Sequence, residues 1–359
     1  MKKIGYGFEK IIELMPEGWE EKAKETGAIK RSRQIKNAED LLKVNLLYLT
    51  SGGSFGKTSA MLKLTEDIRL NKNAVYERIN KSGEWLKWLC TNICRNTDLI
   101  AEPPEWLKEK RVCLLDASDE SMNGSKKADY RLHYMVELFQ LKLVEMHLTE
   151  AKEGEKLSRF NEIGKKDIIM ADRAYGTIKG IEYAIEKEAD YIFRLKAKSF
   201  NFYDESENAV ELTKYFADLG EKDSTSVNLY YKVGKELKPV RICAIRKTVE
   251  AEQNGIRQIK KSNSKKMRGK VSDLQEIYNK YIIVATSLPD EITDSYILEL
   301  YRLRWQIELV FKRFKSIFHY DEMPSKSEKS VYAFFYGKLL IAAICEALVN
   351  QGRFSPNPK

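Results

Sequence analysis

Two short apolar runs, each closed by an aspartate, constrain this chain of 359 residues more than anything else in it. VCLLD (112–116) and DIIMAD (167–172) are rich in Val, Ile and Leu and too short for helices. They read as buried strands that present Asp116 and Asp172 at their tips. The small residues Ala117 and Ser118 follow the first acid, and Arg173, Tyr175 and Gly176 follow the second. Further runs surround them. YRLHYMVELF (130–139) and LKLVEMHL (141–148) meet at a turn near Phe139 and Gln140, which predicts antiparallel neighbours. A helical stretch from Glu155 to Ile163, a helix near 177–188 and a strand at 190–196 complete a pattern of strands alternating with helices. That order specifies an α/β layer architecture.

The residues before about 108 read differently, as polar helices. Two apolar helical stretches flank the Ser51–Ser54 break, and NKNAVYERINKSGEWLKWLC (71–90) is amphipathic, with Lys72, Arg78 and Lys81 on its polar side. Those cations suit a DNA-recognition helix. Pro103 and Pro104 mark a linker. GGSFGKTS (52–59) imitates a phosphate-binding loop, but Ser51 stands where that loop requires its first glycine, so the register fails.

Near the other end stands YRLRWQIELVFKRFK (301–315). On a continuous α-helix, Tyr301, Arg304, Glu308 and Lys315 project within an arc of roughly 60°. Leu300, Leu303, Ile307, Val310, Phe314 and Phe318 form an apolar arc beside them, so the helix has a face to bury and a charged strip to present. A carboxylate framed by two cations and a phenol suits a phosphate held near a metal ion. Two strand-borne acids and one helical acid can together hold two divalent cations for in-line phosphoryl transfer.

With these residues in view, the chain resembles DDE transposases of bacterial insertion sequences of the insertion-sequence-4 type. Their Y-x2-R-x3-E-x6-K signature is matched without a change of spacing by Tyr301, Arg304, Glu308 and Lys315. The small residue and serine after Asp116, and the string Asp172-Arg173-Ala174-Tyr175, match the surroundings of the first two acids. The resemblance covers about residues 30 to 350. It implies a ribonuclease-H-like catalytic core interrupted by a β-rich insertion, with a helical N-terminal DNA-binding domain and a C-terminal helical segment. The corresponding divisions are 1–108, 109–198, 199–280 and 281–359. It further implies cut-and-paste transposition, with Asp116, Asp172 and Glu308 as catalytic metal ligands and with Tyr301, Arg304 and Lys315 on DNA phosphate. Two Mg²⁺ ions are the expected cofactors, with Mn²⁺ able to substitute.

The insertion has independent support, since Asp172 and Glu308 lie 136 residues apart, with β-compatible runs at 226–233 and 240–247 between them. It also contains IRQIKKSNSKKMRGK (256–270), with seven Lys or Arg and no acid. As a basic loop it would place Lys260, Lys261, Lys265, Lys266 and Arg268 against phosphates. A net charge of +9 favours an anionic polymer as partner. The expected partners are double-stranded DNA, as element ends and as target, and a second copy in the DNA complex. Five scattered cysteines and three histidines argue against a disulfide scaffold or zinc module. The apolar stretch 331–349 is interrupted by Lys338 and Glu346 and reads as a buried helix, so a cytoplasmic protein without a membrane span is expected. The competing readings are a catalytically silent DNA-binding derivative and a metal-dependent nuclease. Clustered carboxylates speak against the first, and end-joining would separate the second.

Overall fold

The computed structural model describes residues 5–30, 34–94, 103–122, 125, 127–140, 142–196, 199–265, 270–308, 322–323 and 327–350. Five helices open the chain: α1 (Gly5–Ile12), α2 (Trp19–Glu25), α3 (Ala38–Thr50), α4 (Phe55–Thr65) and α5 (Lys72–Cys94). Ser54 ends the glycine break by accepting the Lys57 N–H, which caps α4. The strands then begin: β1 (Arg111–Met122), β2 (Tyr130–Glu137), β3 (Lys142–Glu150) and β4 (Asp167–Ala171), followed by α6 (Ile178–Glu186) and β5 (Asp190–Arg194). Next come β6 (Phe202–Tyr203), β7 (Ala209–Val210), β8 (Ser224–Val233) and β9 (Glu236–Arg246), with α7 (Val249–Lys265) and α8 (Asp273–Asn279) after them. β10 (Tyr281–Thr286), α9 (Asp294–Arg302), β11 (Glu322–Met323) and α10 (Glu328–Asn350) complete the described elements.

These strands form a single mixed sheet in the order β3-β2-β1-β4-β5-β10-β9-β8-β6-β7, with β11 paired to β1. β1, β4 and β5 run parallel, while β2 and β10 run antiparallel to their neighbours. Residues alternate between two cores, as the period of a strand requires. Val112, Leu114, Ile168 and Met170 pack on the side of α1–α5, α9 and α10, whereas Cys113, Leu115, Ile169 and Ala171 face α6 and the residues around Phe160. All of β4 is buried. Covered on both faces, it is apolar between Asp167, which Arg111 pairs at its start, and Asp172, the residue directly after its end.

The strands of the 199–280 segment continue the main sheet, because β9 pairs with β10 and β10 with β5. The first helices likewise share a core with the last one. α5 packs along α10, and Trp85, Leu86, Leu89, Phe335, Leu339 and Leu340 belong to one apolar cluster. Two glycines permit the close approach: a Cβ on Gly83 would meet Tyr332 at 2.6 Å, and one on Gly337 would meet Leu49 at 2.6 Å. No helix among the described residues is long and apolar enough to cross a membrane.

Three local expectations are corrected. The stretch from Glu155 to Ile163 is not a helix; it holds one 3-10 turn, Leu157–Arg159. Its backbone is claimed from outside. Glu145 accepts the N–H groups of Asn161 and Glu162 at 2.8 and 2.9 Å, Tyr183 donates to the Phe160 carbonyl, and Arg111 donates to the Glu162 carbonyl. The basic run of 256–270 is not a loop up to residue 265, because α7 extends through it. Glu, Ala, Gln and Lys are good helix formers, and the charge run masked that propensity. Finally, β1 does not stop at Asp116 but continues to Met122 along β2.

Candidate active site

The parallel ladder between β1 and β4 ends at the pair Leu115 and Ala171. The next residue on each strand is an acid. Asp116 and Asp172 are therefore the first residues past that ladder, on strands that a sheet spaces by about 4.8 Å, and Asp116 shares the parity of Val112 and Leu114, toward the helical face. Asp116 remains within β1, held by β2 opposite Tyr134, so its backbone is fixed after β4 has ended. Each carboxylate also accepts a local N–H: Asp116 from Ala117 at 2.8 Å and Asp172 from Ala174 at 2.8 Å. The turn after Asp172 passes so close to β5 that a Cβ on Gly176 would lie 2.2 Å from the Arg194 carbonyl oxygen.

The third acid arrives from α9. Thr293 caps this helix, and Ile297, Leu298, Leu300 and Tyr301 are buried beneath it. The signature does not lie on one continuous helix. α9 ends at Arg302, residues 303–304 form a turn, and helix resumes at 305–308. Through this passage the bonds tighten to i,i+3, with the N–H groups of Leu303, Arg304, Gln306 and Ile307 donating to the carbonyls of Leu300, Tyr301, Leu303 and Arg304. A tighter turn advances each residue by about 120° instead of 100°. Leu303, expected in the apolar arc, is accordingly 38% exposed. Lys315, Val310, Phe314 and Phe318 lie outside the described residues.

Arg304 links the pieces. Its guanidinium donates to Glu308 Oε1 at 2.6 Å, stands 4.0 Å from Asp116 Oδ2, and lies over the Tyr301 ring at 6.0 Å. The structure thus groups Asp116, Asp172, Tyr301, Arg304 and Glu308. Burial pushes the Asp116 carboxyl up to about 6, with Asp172 and Glu308 adding to the rise and Arg304 opposing it. Such a carboxylate lacks positive charge around it, and Arg304 supplies only part of what three acids require. Among the described residues no three Asp, Glu, His or Cys side chains close around one point, since Glu308 is turned onto Arg304. The donor set is nevertheless all oxygen, which suits hard divalent cations.

Asp119, a second acid close to Asp116 in sequence, has the opposite parity on β1 and pairs with Arg131 at 2.7 Å. Arg131 also lies 3.8 Å from Glu155, a residue that sequence reasoning missed. Burial raises the Glu155 carboxyl to about 7, and Asp172, Asp116 and Asp119 add to the rise. Nothing local in AKEGEK announces it. Two cations that adjoin Arg173, Arg194 and Lys247, were missed as well. Burial and Arg194 lower Arg173 to about 10, and burial with Arg194 and Arg173 lowers Lys247 to about 8. A cavity of about 210 Å³ adjoins them, lined in part by Arg173, Lys196, Tyr278 and Asn279.

The remaining sequence candidates lie elsewhere. Lys72 and Lys81 are exposed on α5 and Arg78 is half-buried; Lys81 pairs with Glu77 at 3.7 Å, so the polar strip mixes both signs. Lys260 and Lys261 are exposed on α7, and Lys265 is its last residue. Lys266 and Arg268 fall outside the described residues.

The family model described as a transposase DDE domain matches residues 107–344. Over 345 residues the chain is 26% identical to the transposase InsL for insertion sequence element IS186A of Escherichia coli K12, covering 93% of this chain and 91% of that protein. It is also 26% identical over 346 residues to the transposase for insertion sequence element IS421 of Escherichia coli, with the same coverage. A shorter match, 37% over 71 residues, covers 20% of this chain and 15% of the transposase for insertion sequence element IS1151 of Clostridium perfringens.

Proposed function

Because the chain belongs to the DDE transposase family, we propose that Asp116, Asp172 and Glu308 are its catalytic acids in a cut-and-paste reaction at insertion-sequence ends. Membership carries the enzyme class and a divalent-metal requirement. The observation that supports the residue assignment is the placement of Asp116 and Asp172 as the first pair past the β1–β4 ladder, with Arg304 reaching from Asp116 to Glu308. The strand order β3-β2-β1-β4-β5, in which only β2 runs against the other four, supports a ribonuclease-H-like core.

The three carboxylates would hold two Mg²⁺ ions, or Mn²⁺ in their place. When bound, the ions supply activation of the attacking oxygen and stabilisation of the leaving oxygen. The chain's own groups do the rest. Arg304 and Lys315 neutralise charge on the scissile phosphate, and Tyr301 offers it a hydroxyl. Cutting adds water across a phosphodiester and leaves a 3′-OH; joining uses that hydroxyl to attack a target phosphate and release its 3′ oxygen. Residues 1–108 recognise the element end, Lys260 and Lys261 bind flanking phosphates, and the complex is a dimer on DNA in the cytoplasm.

The test is metal-dependent cleavage of a duplex carrying the element end. Asp116→Asn, Asp172→Asn and Glu308→Gln each remove one ligand charge and should abolish cutting while leaving end binding in a gel shift intact. Parental cleavage by Glu308→Gln would overturn the mechanism. Parental cleavage by Asp116→Asn would move the first ligand to Asp119.

A further inference from the structure

The segment that carries Tyr301, Arg304 and Glu308 is anchored by a side chain remote from all three. Between β10 and α9 the chain turns through 287–293, and carbonyls of that turn converge on one guanidinium. Arg241 donates to the Pro289 oxygen at 2.7 Å, the Ile292 oxygen at 2.8 Å and, at 3.5 Å, the Leu288 oxygen. It also donates to Ser226 Oγ at 3.2 Å, and its Nε lies 3.1 Å from Asp290 Oδ1 as an ion pair. Asn228 donates to the other Asp290 oxygen at 2.9 Å. Arg241 is only 7% exposed, so these partners replace its water, and a buried cation persists only when they do.

Arg241 belongs to β9, and Ser226 and Asn228 belong to β8. All three therefore come from the segment that separates Asp172 from Glu308 in sequence. α9 packs on both strands and is capped by Thr293, directly after the clamped turn. Arg241 does more than pair with the Asp290 carboxylate. Here it holds main-chain carbonyls at three positions, which fixes the path of the backbone entering α9.

We infer that Arg241 is a positioning residue for the third acid, so that the inserted strands set where Arg304 and Glu308 stand relative to Asp116. This rests on the reading of Glu308 as a catalytic acid. About 16 residues of mostly helical chain separate Ile292 from Glu308, a lever of roughly 24 Å at 1.5 Å per residue. A tilt of roughly 3° at the clamp then moves Glu308 by about 1 Å, and a displacement of that size can cost about 10²-fold in rate.

The test uses the full-length protein, with single-turnover cleavage of a duplex carrying the element end, gel-shift affinity for that duplex, and amide hydrogen exchange. Arg241→Gln should cut about 10²-fold more slowly with unchanged affinity. Its exchange should quicken across 288–308 but stay parental in β1, β4 and α10. Arg241→Lys, a cation without the planar fork, should recover part of the rate. Asp290→Ala keeps the buried guanidinium and should show the same local pattern more weakly, which keeps the inference testable even where Arg241→Gln does not fold. Parental rate and exchange in Arg241→Lys and Asp290→Ala would overturn the inference, as would exchange that quickens equally throughout the sheet. Glu308→Gln serves as the control. Parental cutting by that variant removes the catalytic reading, while the exchange data still report whether Arg241 holds 288–308.

Discussion

Asp116 is held against its own electrostatic preference. Its carboxyl is pushed up to about 6 by burial and by two neighbouring acids, whereas an unfolded aspartate titrates near 3.9. A folded value above the unfolded one means that the ionised group opposes folding. This penalty is complete above about pH 6, shrinks as pH falls, and vanishes below about pH 4. With its side chain only 19% exposed, the cost is about 2–3 kcal/mol. Asp116→Asn keeps the acceptor for the Ala117 N–H and should therefore raise the melting temperature in metal-free buffer at pH 7.5, with the gain lost near pH 4. An unchanged melting temperature at pH 7.5 would refute that account. Arg304 belongs to the same balance. Arg304→Ala should slow single-turnover cleavage by about 10²–10³, and Tyr301→Phe, which keeps the buried ring, should cost less. Parental rates for Arg304→Ala would reduce the Arg304–Glu308 pair to a surface contact. The neighbouring positions of Asp116 and Asp172 were legible because each of the two closes an apolar run. Glu155 beside Asp172, and Arg194 and Lys247 beside Arg173, were not, because those proximities depend on which strands become neighbours, and no local pattern encodes that.

Among the elements, legibility followed burial. β4 and β5 are short apolar runs covered by both cores, and their sequence limits match the observed ones within two residues. The helix expected after Glu155 failed because side chains of β1, β3 and α6 take its backbone groups, a tertiary effect that outweighs propensity. The break at 303–304 escaped notice for another reason, since a two-residue change of pitch barely disturbs a hydrophobic pattern read over several turns. α7 carries the prediction proper to this scale. Lys260 and Lys261 are exposed on it, so Lys260→Gln with Lys261→Gln should flatten the log–log dependence of DNA affinity on salt by about 0.9 for each phosphate contact removed. An unchanged slope would leave α7 a solvated helix.

Taken whole, the molecule is less modular than its sequence suggests. Composition changes near Pro103 and Pro104, yet the apolar surface of α5 is completed by α10 and not by its own neighbours alone. Polar contacts join the same parts, as when Ser330 donates to Asn80 Oδ1 at 2.5 Å. A fragment starting at residue 109 would expose the faces of Phe335, Leu339 and Leu340, and it should lose a cooperative thermal transition. A fragment that melts cooperatively close to the parental temperature would show instead that the sheet sustains α10 unaided. The contact between α5 and α10 also has a consequence in time. A ribosome releases the chain from its N-terminus, and at about 5–20 residues per second the roughly 230 residues between these helices take roughly 10 to 50 seconds to emerge. Through that interval the first helices wait with an apolar side uncovered, within reach of chaperones and proteases. Only a chain translated through α10 can close this core, so prematurely terminated products should be cleared before they can compete for DNA.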